Sequence, residues 1–323
     1  MTASTDFTTL TSPFRRELLA HCYRMLGSVD EAEDLVQETY LKAWRSFESF
    51  EGRSSVRTWL YRIATNACLT AIERRRRRPL PSGLGGPAAG SDAPLAASSE
   101  VPWLQPIPDA LIAGEHDDPA SVVASRAGIR LAMVAAQQHL PARQRAMLIL
   151  RDVLGWPAAE VADLLGTTTT AVNSGLLRAR AQLARALPAE EDTSEPTEAA
   201  RRATLDRFVA AFENADADAL AELLRKDAVL EMPPFLTWFA GGDTVWEFFT
   251  TRIITAPGLF RMVPVAANGQ PALAAYQRHW EDRYRADAII IPTITATGIA
   301  RLVTFLDPGL FRLFGLPDEI IAA

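Results

Sequence analysis

The sequence predicts a multidomain protein: two all-α blocks, the second carrying a helix-turn-helix, then an α+β domain with a curved, mostly antiparallel sheet. Three observations predict this. Apolar residues recur at spacings of three and four across two blocks, before Arg78 and after Ala120. Between them lies a stretch rich in Pro, Gly, Ala and Ser with no sustained period. Beyond Pro196, after two more helical patterns, short strand-like runs appear, with Asn268-Gly269 placed as a two-residue hairpin turn. A chain of 323 residues has room for more than one core. The expected boundaries are a first helical domain at 1–78, a linker at 79–119, a second helical domain at 120–187, an acidic linker at 188–196 and the α+β domain at 197–323.

In the first block, Phe14, Leu18, Leu19, Cys22 and Leu26 form one helical stripe that Gly27 stops. Ser28 and Glu31 follow as a capping box, which opens a helix burying Ala32, Leu35, Val36, Tyr40, Ala43, Trp44 and Phe47. Its other face presents Asp34, Gln37, Glu38, Lys42 and Arg45. From Ser55 a third helix turns Val56, Leu60, Ile63, Ala64 and Ala67 inward, and the block ends in the five arginines from Arg74 to Arg78. Within the linker, Trp103, Leu104 and Ile107 are too apolar for an inert spacer, so they dock either on a partner or on this chain.

The second block opens near Ala120. Pro141 starts a helix where a missing amide costs little, and Pro157 starts a shorter one. Gly166 turns the chain and Thr168 caps a last helix, which together give the helix-turn-helix layout. The last domain reads as helices around Leu205 to Phe212 and Leu220 to Leu224, a strand at Val229 to Met232 and a helix at Thr244 to Ile254. Further strands follow near Met262 to Ala266, Ala272 to Tyr276, Ala288 to Ile294 and Ile299 to Phe305.

The formal net charge of -6 argues by itself against nucleic-acid binding, but the charge is uneven. Arginines cluster at Arg74 to Arg78 and Arg178 to Arg185, while Glu190, Glu191, Asp192, Glu195 and Glu198 form an acidic stretch, and local basic faces suffice to hold phosphate. The two cysteines, Cys22 and Cys68, fall on apolar helix faces, with no CxxC or His/Cys cluster, so neither disulfide nor metal nor other cofactor is expected. There is no signal pattern at the N-terminus and no apolar run long enough for a bilayer, which suggests a cytoplasmic protein with no membrane partner.

Asp34 to Trp44 (DLVQETYLKAW) together with Phe50 to Leu69 (FEGRSSVRTWLYRIATNACL) resembles the extracytoplasmic-function group of sigma-70 initiation factors. That resemblance implies docking of Asp34, Leu35, Gln37, Glu38 and Lys42 on core RNA polymerase. It also implies a second stretch that melts and reads the minus-ten element of promoter DNA, with the loop Glu48 to Ser54 reading bases. Strand opening needs donors and cations along the backbone, and Arg57, Arg62, Asn66 and Arg74, Arg75, Arg76 and Arg77 supply them. Where the family often has an acid four residues after Asn66, this chain has Thr70.

Leu140 to Leu183 resembles the minus-thirty-five module of the same family. Phosphate contacts there would come from the helix N-terminus at Thr168, Thr169 and Thr170 and from Arg178 and Arg180. Base-edge candidates are Thr169, Thr170, Asn173 and Ser174. Relatives often carry basic residues at the positions of Asn173 and Gly175, which implies lower intrinsic affinity here.

The last domain resembles the SnoaL-like branch of the NTF2-like cone fold, through its opening helices, Pro233-Pro234, the run Asn268 to Ala272 and the tail from Phe305 to Pro317. A subgroup of these sigma factors carries such a domain. Trp238, Trp246, Tyr276, His279 and Trp280 are candidates to line a ligand pocket, with Asp206 or Asp287 nearby. The expected role is a non-enzymatic sigma factor with a regulatory C-terminal domain, whose further partners would be a small-molecule ligand or an anti-sigma protein. The competing readings are a helix-turn-helix regulator that works without polymerase and a fused cyclase or isomerase.

Overall fold

The computed structural model describes residues 3–50, 52, 54–74, 77–112, 127–186 and 196–321. They form two compact units: Met1–Arg78 with Leu104–Leu187, and Pro79–Trp103 with Pro188–Ala323.

The first unit opens with α1 (Ala3–Thr11), α2 (Arg15–Leu26), α3 (Val29–Ser46) and α4 (Val56–Glu73). Leu18, Leu19, Cys22, Ala32, Val36, Leu60, Ala64 and Cys68 are fully buried among them. Gly27 ends α2 with φ of 72°, and a Cβ there would stand 2.7 Å from Leu104 Cδ1, so both conformation and space require glycine. Ser28 caps α3 as its spacing predicts, its Oγ accepting from the Glu31 amide at 3.3 Å. The returning chain completes the cap: Gln105 Oε1 accepts from Ser28 Oγ at 2.7 Å and from the Val29 amide at 3.0 Å. Ser55 caps α4 in turn, accepting from the Thr58 amide at 3.0 Å.

The same unit continues through α5 (Asp109–Ile112), α6 (Leu131–Gln137), α7 (Ala142–Leu148), α8 (Ala158–Leu165) and α9 (Thr169–Ala186). The last turn of α7 widens into π geometry over Ile149–Val153. Gly166 closes α8 with φ of 60°, the left-handed turn that the helix-turn-helix needs.

In the second unit, α10 (Glu198–Asn214) and α11 (Ala217–Leu223) precede β1 (Leu224–Glu231), β2 (Trp238–Ala240) and α12 (Gly242–Phe248). Next come β3 (Phe260–Ala267), β4 (Gln270–Trp280), β5 (Arg283–Thr295), β6 (Gly298–Phe305), α13 (Leu310–Leu313) and β7 (Glu319–Ile321). The sheet order is β2-β1-β6-β5-β4-β3, with β7 beside β5. The β1–β6 pair is parallel and the other pairs are antiparallel. Asn268 and Gly269, with φ of 55° and 70°, turn β3 into β4 as expected. The helix expected over Thr244 to Ile254 starts earlier, at Gly242, and its second half is a π turn over Phe249–Ile253. Phe208, Phe212, Phe239, Phe248 and Phe260 fill the space between helices and sheet.

The stretch read as a linker over 79–119 divides between the units. Residues 79–103 form a strap on the α+β domain. Its backbone is bonded by Ala88 N to Trp238 O at 2.8 Å, Leu236 N to Ala96 O at 2.7 Å and Ser98 N to Pro234 O at 3.0 Å. Ala88, Ala93 and Leu95 pack on the domain's core. Leu104 and Ile107 are fully buried in the first unit. Of the two fates open to these apolar residues, packing within this chain is the one observed. The acidic residues Glu190, Glu191, Asp192 and Glu195 lie outside the described residues.

Candidate polymerase and DNA interfaces

On α3, Asp34, Gln37, Glu38 and Lys42 all face solvent, and Lys42 Nζ lies 2.5 Å from Glu38 Oε1 one turn away. Leu35 does not share that face. It is buried, so its contribution is to anchor the helix, a correction to its place among the docking residues. Two apolar side chains join the face instead, Leu41 at 58% and Trp44 at 43% exposure, although the edge of Trp44 also meets the Phe7 ring at 5.3 Å. The helical stripe assigned Trp44 inward and passed over Leu41. An apolar residue on a charged helix face was the available signal.

On α4, Arg62, Asn66 and, at its C-terminal end, Arg74 are exposed. Arg57 is held within the chain, its Nε 3.0 and 2.9 Å and its Nη2 2.8 Å from the Glu17 carboxylate, with its guanidinium 5.0 Å from the Tyr61 ring centroid. Arg57, expected among the DNA donors, is thus engaged by Glu17. Arg62 forms an ion pair with Asp163 on α8. Arg77 Nη1 lies 2.9 Å from His139 Nδ1, and Arg78 pairs with Glu31 at 2.7 Å. Arg75 and Arg76 lie outside the described residues. Tyr61 is fully buried, whereas Trp59 is part-exposed and stacks on Phe50 at 4.7 Å. Beneath this surface His21 is fully buried, its Nε2 2.9 Å from Thr65 Oγ1, and burial, with Arg24 and Arg57 nearby, lowers its pKa to about 3.

On the helix-turn-helix, Thr168, Thr169, Thr170, Asn173, Ser174 and Arg178 are exposed at and beyond the start of α9. Thr168 Oγ1 accepts from the Ala171 amide at 3.2 Å, and Val172, Leu176, Ala179 and Leu183 bury the opposite face. Arg180 is exposed but engaged, its Nε and Nη2 donating to the Asp152 carboxylate at 2.9 and 2.6 Å. Leu177, 73% exposed, lies one turn after Asn173 on the same face and was not singled out from sequence. Gly175 points the other way, where a Cβ would stand 2.5 Å from Met147 Sδ. A basic residue at 175 would therefore displace the helix packing, which is why its absence says little about DNA contact.

In the α+β unit three of the five candidate pocket residues bond to separate elements. Trp238 Nε1 donates to Gly85 O at 3.0 Å, Trp246 Nε1 to Ala217 O at 2.8 Å and Tyr276 Oη to Pro317 O at 3.1 Å. His279 is exposed, and Trp280 is 66% exposed at the end of β4. Asp206 faces solvent on α10, and Asp287 sits at a β4–β5 register shift where burial raises its pKa. Among the described residues no cluster of His, Cys, Asp or Glu could hold a metal ion. No described helix is long and apolar enough to cross a membrane.

The family described as Sigma-70 region 2 matches residues 10–78, and Sigma-70, region 4 matches residues 130–183. The ECF RNA polymerase sigma factor SigG of Mycobacterium tuberculosis is 49% identical over 317 residues, covering 98% of this chain and 85% of that protein. SigJ of the same organism is 29% identical over 293 residues, covering 87% and 85%. The crystal structure of SigJ superposes with a TM-score of 0.61 at 24% identity over 97% of this chain and 100% of that one, a likeness of fold that includes the NTF2-like C-terminal domain. By sequence over nearly its whole length and by its two sigma regions, the chain belongs to the ECF sigma factors of the sigma-70 family, which bind core RNA polymerase and promoter DNA.

Proposed function

We propose that α3 docks on the polymerase through Asp34, Gln37, Glu38, Lys42, Leu41 and Trp44, that α4 with Arg62, Asn66 and Arg74 engages the minus-ten element, and that α9 reads the minus-thirty-five element. The observation that carries this reading is the α3 face: four polar side chains with two exposed apolar ones, on a helix whose other side is locked into the core. A charged rim around an apolar centre is the composition of a protein interface. In α9 the exposed Thr170, Asn173, Ser174 and Leu177 share one face at the groove-entering end, with Leu177 suited to a thymine methyl. A helix-turn-helix regulator working alone would have no use for the α3 face.

The α+β domain acts in this reading as a regulator and not as an enzyme. Its support is the strap, the piece of chain that leads from the first sigma region toward the second. The domain holds it by main-chain bonds and by a fully buried carboxylate: Glu231 Oε1 accepts from the Ser82 amide at 2.8 Å, while Glu231 Oε2 pairs with Arg301. Whatever loosens that grip lengthens the free connector and changes the spacings the two regions can span. The test of the docking assignment is run-off transcription and core binding with the Asp34→Lys/Glu38→Lys variant. Core affinity is expected to fall about tenfold or more with helicity unchanged, since exposed substitutions move stability by only about 0.5 kcal/mol. Unchanged core affinity would discard the assignment.

A further inference from the structure

The helix α1 is a poor helix by composition. Four of its nine residues are threonine, whose branched side chain lowers helix propensity, and a helix this short does not persist on its own. Packing against α3 holds it instead. The Phe7 ring, 7% exposed, stands edge-on to three rings along one stripe of α3 and the turn that follows it. Its centroid lies 6.4 Å from Tyr40, 5.3 Å from Trp44 and 5.2 Å from Phe47. One turn on, Thr11 Oγ1 donates to Phe7 O at 2.8 Å, and Thr11 O accepts from Tyr40 Oη at 2.9 Å. Burial pushes the Tyr40 pKa up to about 12, which keeps that phenol a donor.

Through Trp44 this cluster reaches the face that the preceding section gives to polymerase. Trp44 is 43% exposed, so part of its indole is open to a partner while the rest meets Phe7. Buried aromatic rings are the common anchors of protein interfaces, and an anchor already held in one orientation loses less conformational freedom on docking. Phe7 itself has almost no surface to offer a partner. It also precedes the residues matched by sigma region 2, which begin at residue 10, so the support comes from outside the region that supplies the face.

We propose that Phe7 is a positioning residue for polymerase docking: its ring fixes the Trp44 indole in the orientation that core polymerase meets, without touching the polymerase. The inference rests on the docking role proposed for the α3 face. Without the ring, Trp44 samples other rotamers, and affinity falls with the fraction of chains that present the docking one. The opening helix thus belongs to the docking apparatus through what it holds in place.

The test is a double-mutant cycle on core-polymerase affinity, made in the full chain. Trp44→Ala should weaken core binding about tenfold or more, as loss of an aromatic anchor does. Phe7→Ala should weaken it about three- to tenfold, the scale of one aromatic edge contact. In the Trp44→Ala chain the same change should cost less than about twofold, because the residue it acts through is gone. Phe7→Leu separates this role from mere anchoring of α1: it keeps an apolar side chain in place but has no ring, and should still lose most of the affinity. Fluorine NMR of the chain labelled with 5-fluorotryptophan reads the cause directly. The Trp44 line, one of seven and assigned with Trp44→Phe, should move toward the solvent-averaged position in both Phe7 variants. Full core affinity with an unmoved Trp44 line in Phe7→Leu would overturn the positioning role, as would an equal cost of Phe7→Ala with and without Trp44. Unchanged core affinity in Trp44→Ala would discard the α3 docking face, and this inference with it.

Discussion

Acid should loosen the first sigma region in a way that traces to one residue. His21 is fully buried, bonded to Thr65 and edge-on to the Tyr61 ring at 5.1 Å, and its pKa is lowered to about 3 from the usual 6.5. The folded chain therefore holds His21 neutral at pH values where the unfolded chain has protonated it. Between those two pKa values the unfolded state binds more protons, so stability is full above about pH 6.5 and falls as pH drops toward about 3. At pH 5 the cost is about 2 kcal/mol, from roughly 1.5 pH units at about 1.36 kcal/mol each, with a ceiling near 5 kcal/mol at pH 3. His139, whose pKa burial and then Arg77 and Arg145 lower, acts in the same direction. Amide exchange in α2 and α4 at pH 7.5 and 5.0 reads the effect locally, which a whole-chain melt of a two-unit protein would blur. His21→Gln should lower stability at neutral pH yet flatten the acid dependence in α2 and α4, whereas His139→Gln should leave most of it. An equally steep acid loss in the His21→Gln variant would refute the assignment.

Two further perturbations probe the recognition helix and the strap. Gly175→Arg forces side-chain atoms against Met147 and should cost about 1–3 kcal/mol of stability. Thermal unfolding checks this, and Met147→Ala in the same chain should recover part of the loss. Leu95→Asp places a charge against the core of the α+β domain and should free the strap. Limited proteolysis should then cut within residues 79–103 at least about tenfold faster and run-off transcription should change, while an unaltered cleavage rate would remove the strap from the regulatory reading.

How much of this was legible in the sequence depended on the range of the interaction. Ser28, Ser55, Gly27, Gly166 and Asn268-Gly269 declared their caps and turns because each acts within four residues. The partners of charged and amphipathic side chains were not legible. Periodicity says which face a residue shares but not what covers that face, so Trp44 was offered to the core, while Leu35, which periodicity rightly turned inward, was offered to the polymerase by resemblance alone. Gln105 caps α3 from 76 residues away at Val29, and no local pattern announces it. The strap was misread for the same reason: Pro, Gly and Ser describe how stiff a segment is, whereas its path is decided by Ala88, Ala93 and Leu95 finding a core on a domain more than a hundred residues later. The arginines show the limit most clearly. Composition marks Arg57 and Arg62 alike as cations for DNA, yet Arg57 is committed to a three-bond grip on Glu17 while Arg62 meets one exposed carboxylate. The second pair is the more exposed and the more easily exchanged, a difference that the charge of the two arginines alone does not reveal.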